Sequence, residues 1–198
     1  MLRPDRSAGR FGRARRTPAE AAKHREVMRV FTGLLLALFV AMLSGTIVGN
    51  ALPVIIADLG GSQLQYMWIV TAALLASTAS TPIFGKLADL FDKKTLLLLA
   101  IGLFSVGSLL AGLAQSPNSL IVYRAVQGVG MGAQMALVQT TIASIISPRE
   151  RGRYNGYMGA VMAVATVSGP LIGGLIVDTP WLGWRWCYWS AVPFSVLA

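Results

Sequence analysis

Arg124, Gln127 and Gly128 stand at i, i+3 and i+4 in the stretch SLIVYRAVQGVGMGAQMALVQ, so a helix sets them on one face, and Gln134 extends the stripe. A guanidinium in so apolar a run belongs to the class of intramembrane charges that face a bundle interior and act there. The competing account is snorkelling, because Arg124 lies about 8 Å from the outer end of its helix, but snorkelling asks for no glutamines below it. In MLSGTIVGNALP, Thr46, Asn50 and Pro53 share a face at i, i+4 and i+7. They either bond across to neighbouring helices or line a substrate path with polar groups. The segment GKLADLFDKK places Gly85, Asp89, Lys93 and Lys94 in a short charged hinge. In AVATVSGPLIGG, Ala165, Gly169 and Gly173 recur every four residues, the spacing that lets helices approach closely, and Pro170 removes a backbone donor and is expected to bend its helix. Enzymatic chemistry finds no constellation. The single histidine, His24, lies in the N-terminal tail, and the single cysteine, Cys187, has no partner. No metal cluster, internal disulfide or nucleophile–base pair can be assembled from them.

The elements that carry these residues follow from composition. The chain is 55% hydrophobic and 13% charged, too apolar for an ordinary soluble domain. Neutral windows run over 30–57, 59–85, 95–123, 125–148 and 154–177. Each exceeds the roughly 20 residues a helix needs to cross a bilayer core. A sixth apolar run opens at Trp186 and reaches Ala198, too short to span, so the chain is expected to be the N-terminal fragment of something longer. The expected architecture is an all-α polytopic membrane protein with helices over 30–54, 66–88, 95–114, 119–143 and 155–177 and the start of a sixth over 186–198. The short alternating segments of a strand barrel are missing. Residues 1–28 read as a basic, disordered tail, followed by a transmembrane bundle over 29–198. The tail is not a signal peptide, because nearly thirty polar residues precede an apolar run much longer than an h-region.

The formal net charge of +9 raises nucleic acid as a partner, but topology accounts for it. All of the 17 lysines and arginines except Arg124 and Arg185 lie in the tail, in the loop with Lys86, Lys93 and Lys94, or in the loop with Arg149, Arg151 and Arg153. The alternate loops carry none. This is the positive-inside pattern with a cytoplasmic N-terminus, and it leaves no nucleic-acid partner to invoke. Trp68, Trp181, Trp184, Trp186 and Trp189 fall at the opposite boundary, as an aromatic belt.

Four motifs, in order and on the expected helices, resemble those of the major facilitator superfamily. Gly85, Leu87, Ala88, Asp89, Lys93 and Lys94 match its signature loop G-x-L-A-D-x-x-G-R/K-R/K, with Asp92 in place of the usual glycine. Asp tolerates turn conformations, so the loop reads as a variant. Arg124, Gln127, Gly128, Gly130 and Gly132 match the fourth-helix motif R-x-x-Q-G-x-G-x-G/A. Gly169, Pro170, Gly173 and Gly174 are similar to the antiporter motif of its exporters. Trp184, Arg185, Trp186 and Pro193 resemble the opening of the sixth helix in the fourteen-helix drug:proton antiporters, with Ala191 replacing an asparagine. Many members of that branch also carry an acidic residue in the first helix, where this chain has Ser44.

The resemblance implies the first of two six-helix bundles, built from three-helix inverted repeats, that rock about a central cavity in a bacterial cytoplasmic membrane. It implies export of amphipathic organic cations or lipophilic drugs by proton antiport, with no cofactor beyond the proton gradient and with a C-terminal half completing the transporter. Arg124, Gln127 and Gly128, with Thr46 and Asn50, would form the coupling or substrate pocket. Gly169, Pro170 and Gly173 would seal the cavity, and Asp89 with Lys93 and Lys94 would latch the bundles. The alternatives are a same-fold exporter of a non-drug metabolite and a truncated, non-transporting membrane protein.

Overall fold

A computed structural model of the chain describes residues 18–179, 181 and 183–197. The described residues form helices and connecting turns with no strand: α1 (Pro18–Asp58), α2 (Gln63–Leu90), α3 (Lys93–Gly112), α4 (Pro117–Ile145), α5 (Arg151–Asp178), α6 (Trp186–Trp189) and α7 (Ala191–Leu197). The first five all begin before the bounds read from apolar runs, because their caps lie outside those runs. Ser62 and Ser116 each accept the backbone N–H three residues on, closing capping boxes with Gln65 and Ser119. Asp92 caps α3 by accepting from the Thr95 amide at 3.0 Å, with a φ of −61°. The position therefore needs no glycine-like turn. The carboxylate satisfies an orphan N–H that glycine would leave open.

Two expectations change. α1 reaches back to Pro18, eleven residues into the segment read as a disordered tail; residues 1–17 lie outside the described residues. PAEAAKHREVM is rich in strong helix formers, and Pro18 opens the helix where its missing N–H removes nothing. The sixth helix is broken into α6 and α7 at Ser190. Pro193 cannot donate to the Trp189 carbonyl four residues back, and its ring crowds that carbonyl, so the first piece ends there.

α1, α2, α3 and α5 are long and apolar enough to cross a membrane. α4 falls short on apolarity because Arg124 and its glutamines interrupt it, yet it is 29 residues long and has more buried residues than α2, α3 or α5. It does not need an oily surface, because protein rather than lipid covers it. The packing is crosswise: α4 holds α2 and α3, α1 holds α5, and α6 and α7 pack on both α1 and α3. Contacts between α1 and α2, or α2 and α3, are few. α4 thus gathers the second and third helices of the first unit, whereas α1 takes α5 and shares the last helix with α3. Only 17% and 22% of the most apolar stretches of α2 and α5 are buried, against 44% for α1, so α2 and α5 turn oily faces outward. The protein is a multi-pass membrane bundle with α1 and α4 at its heart.

Candidate functional site

In the half of the bundle away from the basic end, α4 meets α1 and α3 through polar side chains. Arg124 is buried, with 7% of its surface exposed, and its Nη1 donates to Gln127 Oε1 at 2.6 Å. A guanidinium has donors only, so it fixes which end of the Gln127 amide faces it. The Gln127 Nε2 is thereby turned away and donates to Ser108 Oγ of α3 at 2.6 Å and, more weakly, to Ser44 Oγ of α1 at 3.4 Å. Ser44, Ser108 and Gln127 are all buried. The result is a relay across three helices in which every bond points away from the positive charge. Arg124 Nε and the hydroxyl of Tyr188 in α6 are buried without a hydrogen-bond partner among the described residues. The acidic side chains there lie at helix ends or in loops: Asp58, Asp89, Asp92, Glu150 and Asp178. Among the described residues Arg124 is therefore a fixed charge without a carboxylate beside it.

The glycines of α4 make this close approach feasible. A Cβ on Gly128 would run into the Ala73 carbonyl of α2, one on Gly132 into the Ser77 carbonyl, and one on Gly130 into the Phe104 backbone of α3. Ser80 Oγ of α2 adds a bond to the Val129 carbonyl at 3.1 Å. Gln134, lower on the stripe, donates weakly to the Ala100 carbonyl at 3.4 Å, and its Oε1 is unpartnered.

Thr46 and Asn50 separate. Thr46 Oγ1 shares its proton between the Leu43 carbonyl at 2.9 Å and the Ala165 carbonyl of α5 at 3.1 Å, and a Cβ on Gly169 would strike that hydroxyl. Gly173 lies against the Ile47 backbone, so Ala165, Gly169 and Gly173 form the seam between α5 and α1. Asn50 and Pro53 are exposed and join neither the seam nor the relay. Pro170 is exposed, and α5 continues past it to Asp178. Gly174 and Gly85 have nothing within 4 Å of an added Cβ, so no neighbour in this bundle explains them. Asp89 and Lys94 are exposed and Lys93 is half-buried beside the α2–α3 turn.

Three further residues escape sequence reasoning. Ser108 is one of two buried serines on α3, and spacing does not distinguish it from Ser105. Tyr188 is wholly buried. Trp184 is 5% exposed, not part of a boundary belt, and its Nε1 donates to Asp58 Oδ2 of α1 at 2.7 Å. The Arg185 guanidinium sits 4.5 Å from the Trp184 ring centroid and reaches the Ala114 carbonyl at 3.5 Å, so α6 is clamped to α1 and α3. The crowded WLGWRW segment is the one signal that could have pointed there.

Two cavities open in the bundle, one of them bordering the relay at Ser44. One of about 410 Å³ runs along α1, with Val40, Ser44 and Ile47 on its floor and Ser168, Ile172 and Phe194 on its walls. The other, of about 470 Å³, opens near the basic end between Met135 and Gln139 of α4 and Arg151, Asn155, Met158 and Met162 of α5. There Arg151 is already engaged, donating to the Ala143 carbonyl at 2.7 Å and capping α4.

Residues 34–198 match the family model described as Major Facilitator Superfamily. The chain is 39% identical over 169 residues to the multidrug transporter protein MdtP of Bacillus subtilis, covering 85% of this chain and 31% of that protein. It is 44% identical to an uncharacterized MFS-type transporter, Rv1877, of Mycobacterium tuberculosis, over 84% of this chain and 24% of that protein. With the efflux pump dotC of Dothistroma septosporum the identity is 45%, over 84% and 28%. The chain thus spans about a third or less of the length of these curated relatives.

Proposed function

The chain belongs to the major facilitator superfamily, and on that premise we propose that it forms the first bundle of a secondary exporter of lipophilic, drug-like small molecules. The reading assigns it to the fourteen-helix branch and to proton antiport. Its support is the multidrug-transporter and efflux-pump names of similar proteins, together with one observation of chemistry. Arg124 is a buried guanidinium, wired to α1 and α3, with no carboxylate beside it among the described residues. A fixed charge held that firmly at membrane depth belongs to a transport path rather than to an ordinary packing interface.

In this reading the titrating acid is contributed by the part of the transporter beyond this chain. Arg124 lowers that acid's pKa when the two face each other, so proton uptake depends on which side the cavity opens. Gln127 and Gly128 keep the guanidinium in place. The Ala165–Gly169–Gly173 seam keeps α1 and α5 too close for protons to leak between them. Asp89, Lys93 and Lys94 latch the two bundles at the basic end, which the positive-inside pattern assigns to the cytoplasm along with the N-terminus. Gly85 and Gly174, open in this bundle, meet the second one.

The test is efflux of a fluorescent dye from proteoliposomes containing the full-length protein, energised by an imposed pH gradient. Arg124→Ala is expected to abolish gradient-driven movement while the protein still inserts and stays monodisperse. Normal efflux by that variant would refute the coupling role.

A further inference from the structure

The direction of the hydrogen bonds in the relay says what kind of molecule the groove along α1 can hold. Because Arg124 only donates, Gln127 must present its oxygen to Arg124 and its N–H groups to Ser108 and Ser44. Ser44 Oγ is thus already an acceptor, and its own proton has no acceptor among the described residues. Ser44 also lines the groove of about 410 Å³. The groove's walls are otherwise apolar but for the Ser168 and Ser190 hydroxyls, and Ser168 Oγ donates to the Val164 carbonyl of its own helix at 2.7 Å.

The geometry points to a binding site for a lipophilic molecule that carries a hydrogen-bond acceptor, best an anionic one such as a carboxylate, with its apolar body between α1, α5 and α7 and its acceptor on Ser44. Charge and hydrogen bonding give the same sign. A chain of bonds headed by a cation is polarised along its length, here only slightly through its long last link at 3.4 Å, so the terminal hydroxyl is a somewhat stronger donor than an isolated serine. The positive charge behind it has no carboxylate beside it and acts through a medium that screens poorly. An acceptor on the ligand completes the relay. An ammonium in the same place would set two positive charges against each other and leave the Ser44 proton unpaired. Size is consistent with this, because cavities of a few hundred Å³ with mostly apolar walls and few polar points are typical of small-molecule sites. The inference deepens the exporter reading, on which it depends only for the transport that follows binding.

Two probes with the same aromatic body and opposite charge separate the cases: 1-pyrenebutyrate and the corresponding pyrenebutyl-trimethylammonium. Binding of each to the purified full-length protein is followed by fluorescence anisotropy. The carboxylate is expected to bind about tenfold tighter, the scale of one hydrogen bond to a charged group. Ser44→Ala should remove most of that advantage and leave the ammonium unchanged. Ser44→Asp puts a carboxylate on the relay, balances Arg124 and should reverse the order. The proposal is overturned if the ammonium binds native protein as tightly as the carboxylate, if neither binds because protein fills the groove, or if both Ser44 variants keep the native preference. Efflux of the same probes from proteoliposomes distinguishes the two readings. Correct binding without transport of either probe sinks the exporter and keeps the site. Transport of both probes that is indifferent to Ser44 keeps the exporter and sinks the site.

Discussion

Replacing Gln127 by leucine keeps the volume and removes every polar contact of the relay. The bond from Arg124 Nη1, at 2.6 Å, has a charged donor, and losing such a bond inside a protein costs about 1.5–3 kcal/mol. The bond to Ser108, also at 2.6 Å, joins two neutral groups on different helices, for which membrane proteins average about 0.6 kcal/mol. The bond to Ser44, at 3.4 Å, is long enough to add little. Leucine recovers almost nothing by burial, because lipid is as apolar as the bundle. The expected loss is therefore about 2–4 kcal/mol, dominated by the stranded guanidinium. Gln127→Glu supplies the control. It keeps an acceptor toward Arg124, now charged, and loses only the donors to Ser108 and Ser44, so it should lose well under half as much. Equilibrium unfolding in mixed micelles of increasing denaturing-detergent content, followed by tryptophan fluorescence, reads both. A leucine variant within about 0.5 kcal/mol of the native protein would show that the relay does not hold the helices, as would a glutamate variant no more stable than the leucine one.

Other outcomes follow from the same contacts. Gly128→Val and Gly132→Val push side chains into the α2 backbone and should lower stability by about 3 kcal/mol or more, whereas Gly174→Ala, whose Cβ meets no neighbour within this bundle, should leave the bundle's own stability within about 0.5 kcal/mol; size-exclusion profiles and melting temperatures rank them. Trp184→Phe keeps a ring but drops the bond to Asp58, so the buried Cys187 three residues on should react about fivefold faster with maleimide, measured at that residue by mass spectrometry. Asp92 accepts from the Thr95 amide and hydroxyl, and these bonds hold its carboxyl below the usual carboxylate range. A depressed folded pKa contributes stability that is present above the unfolded value and fades as pH falls through the folded one. The gap in melting temperature between native protein and Asp92→Ala should accordingly be constant near neutrality and narrow only below the ordinary carboxylate pKa.

What sequence showed and what it hid divide along helix boundaries. Arg124 and Gln127 touch because i and i+3 share a face, and that was readable within one helix. The recipient of Gln127's own bonds was not, since Ser108 and Ser44 belong to other helices and no spacing marks which serine points inward. Gly169 and Gly173 announced a close approach but not its partner, which is Thr46 and Ile47 of α1. Thr46 and Asn50 were grouped by periodicity, yet the seam takes the one and leaves the other exposed, because the α5 contact is narrower than a helical face. The extension of α1 to Pro18 was latent in helix propensity but invisible to hydropathy, since the segment is charged. The break at Ser190 was latent in Pro193. Trp184 looked like a boundary residue until the Asp58 carboxylate, distant in sequence, appeared beside it.

The crosswise packing has a consequence for how the protein is made. When only α1, α2 and α3 have left the ribosome, none of them has the neighbour it will finally keep, because contacts within that trio are sparse. α4 must arrive before α2 and α3 can settle, and α1 waits until α5, α6 and α7 are synthesised. Assembly therefore cannot proceed helix by helix in order of emergence. The early helices must persist as separate spans in the bilayer, their glycine-fitted seams open, until α4 to α7 have followed. Until α4 arrives, Ser44 and Ser108 lack the Gln127 amide that joins them, and a chaperone of the membrane would find its clearest substrate there.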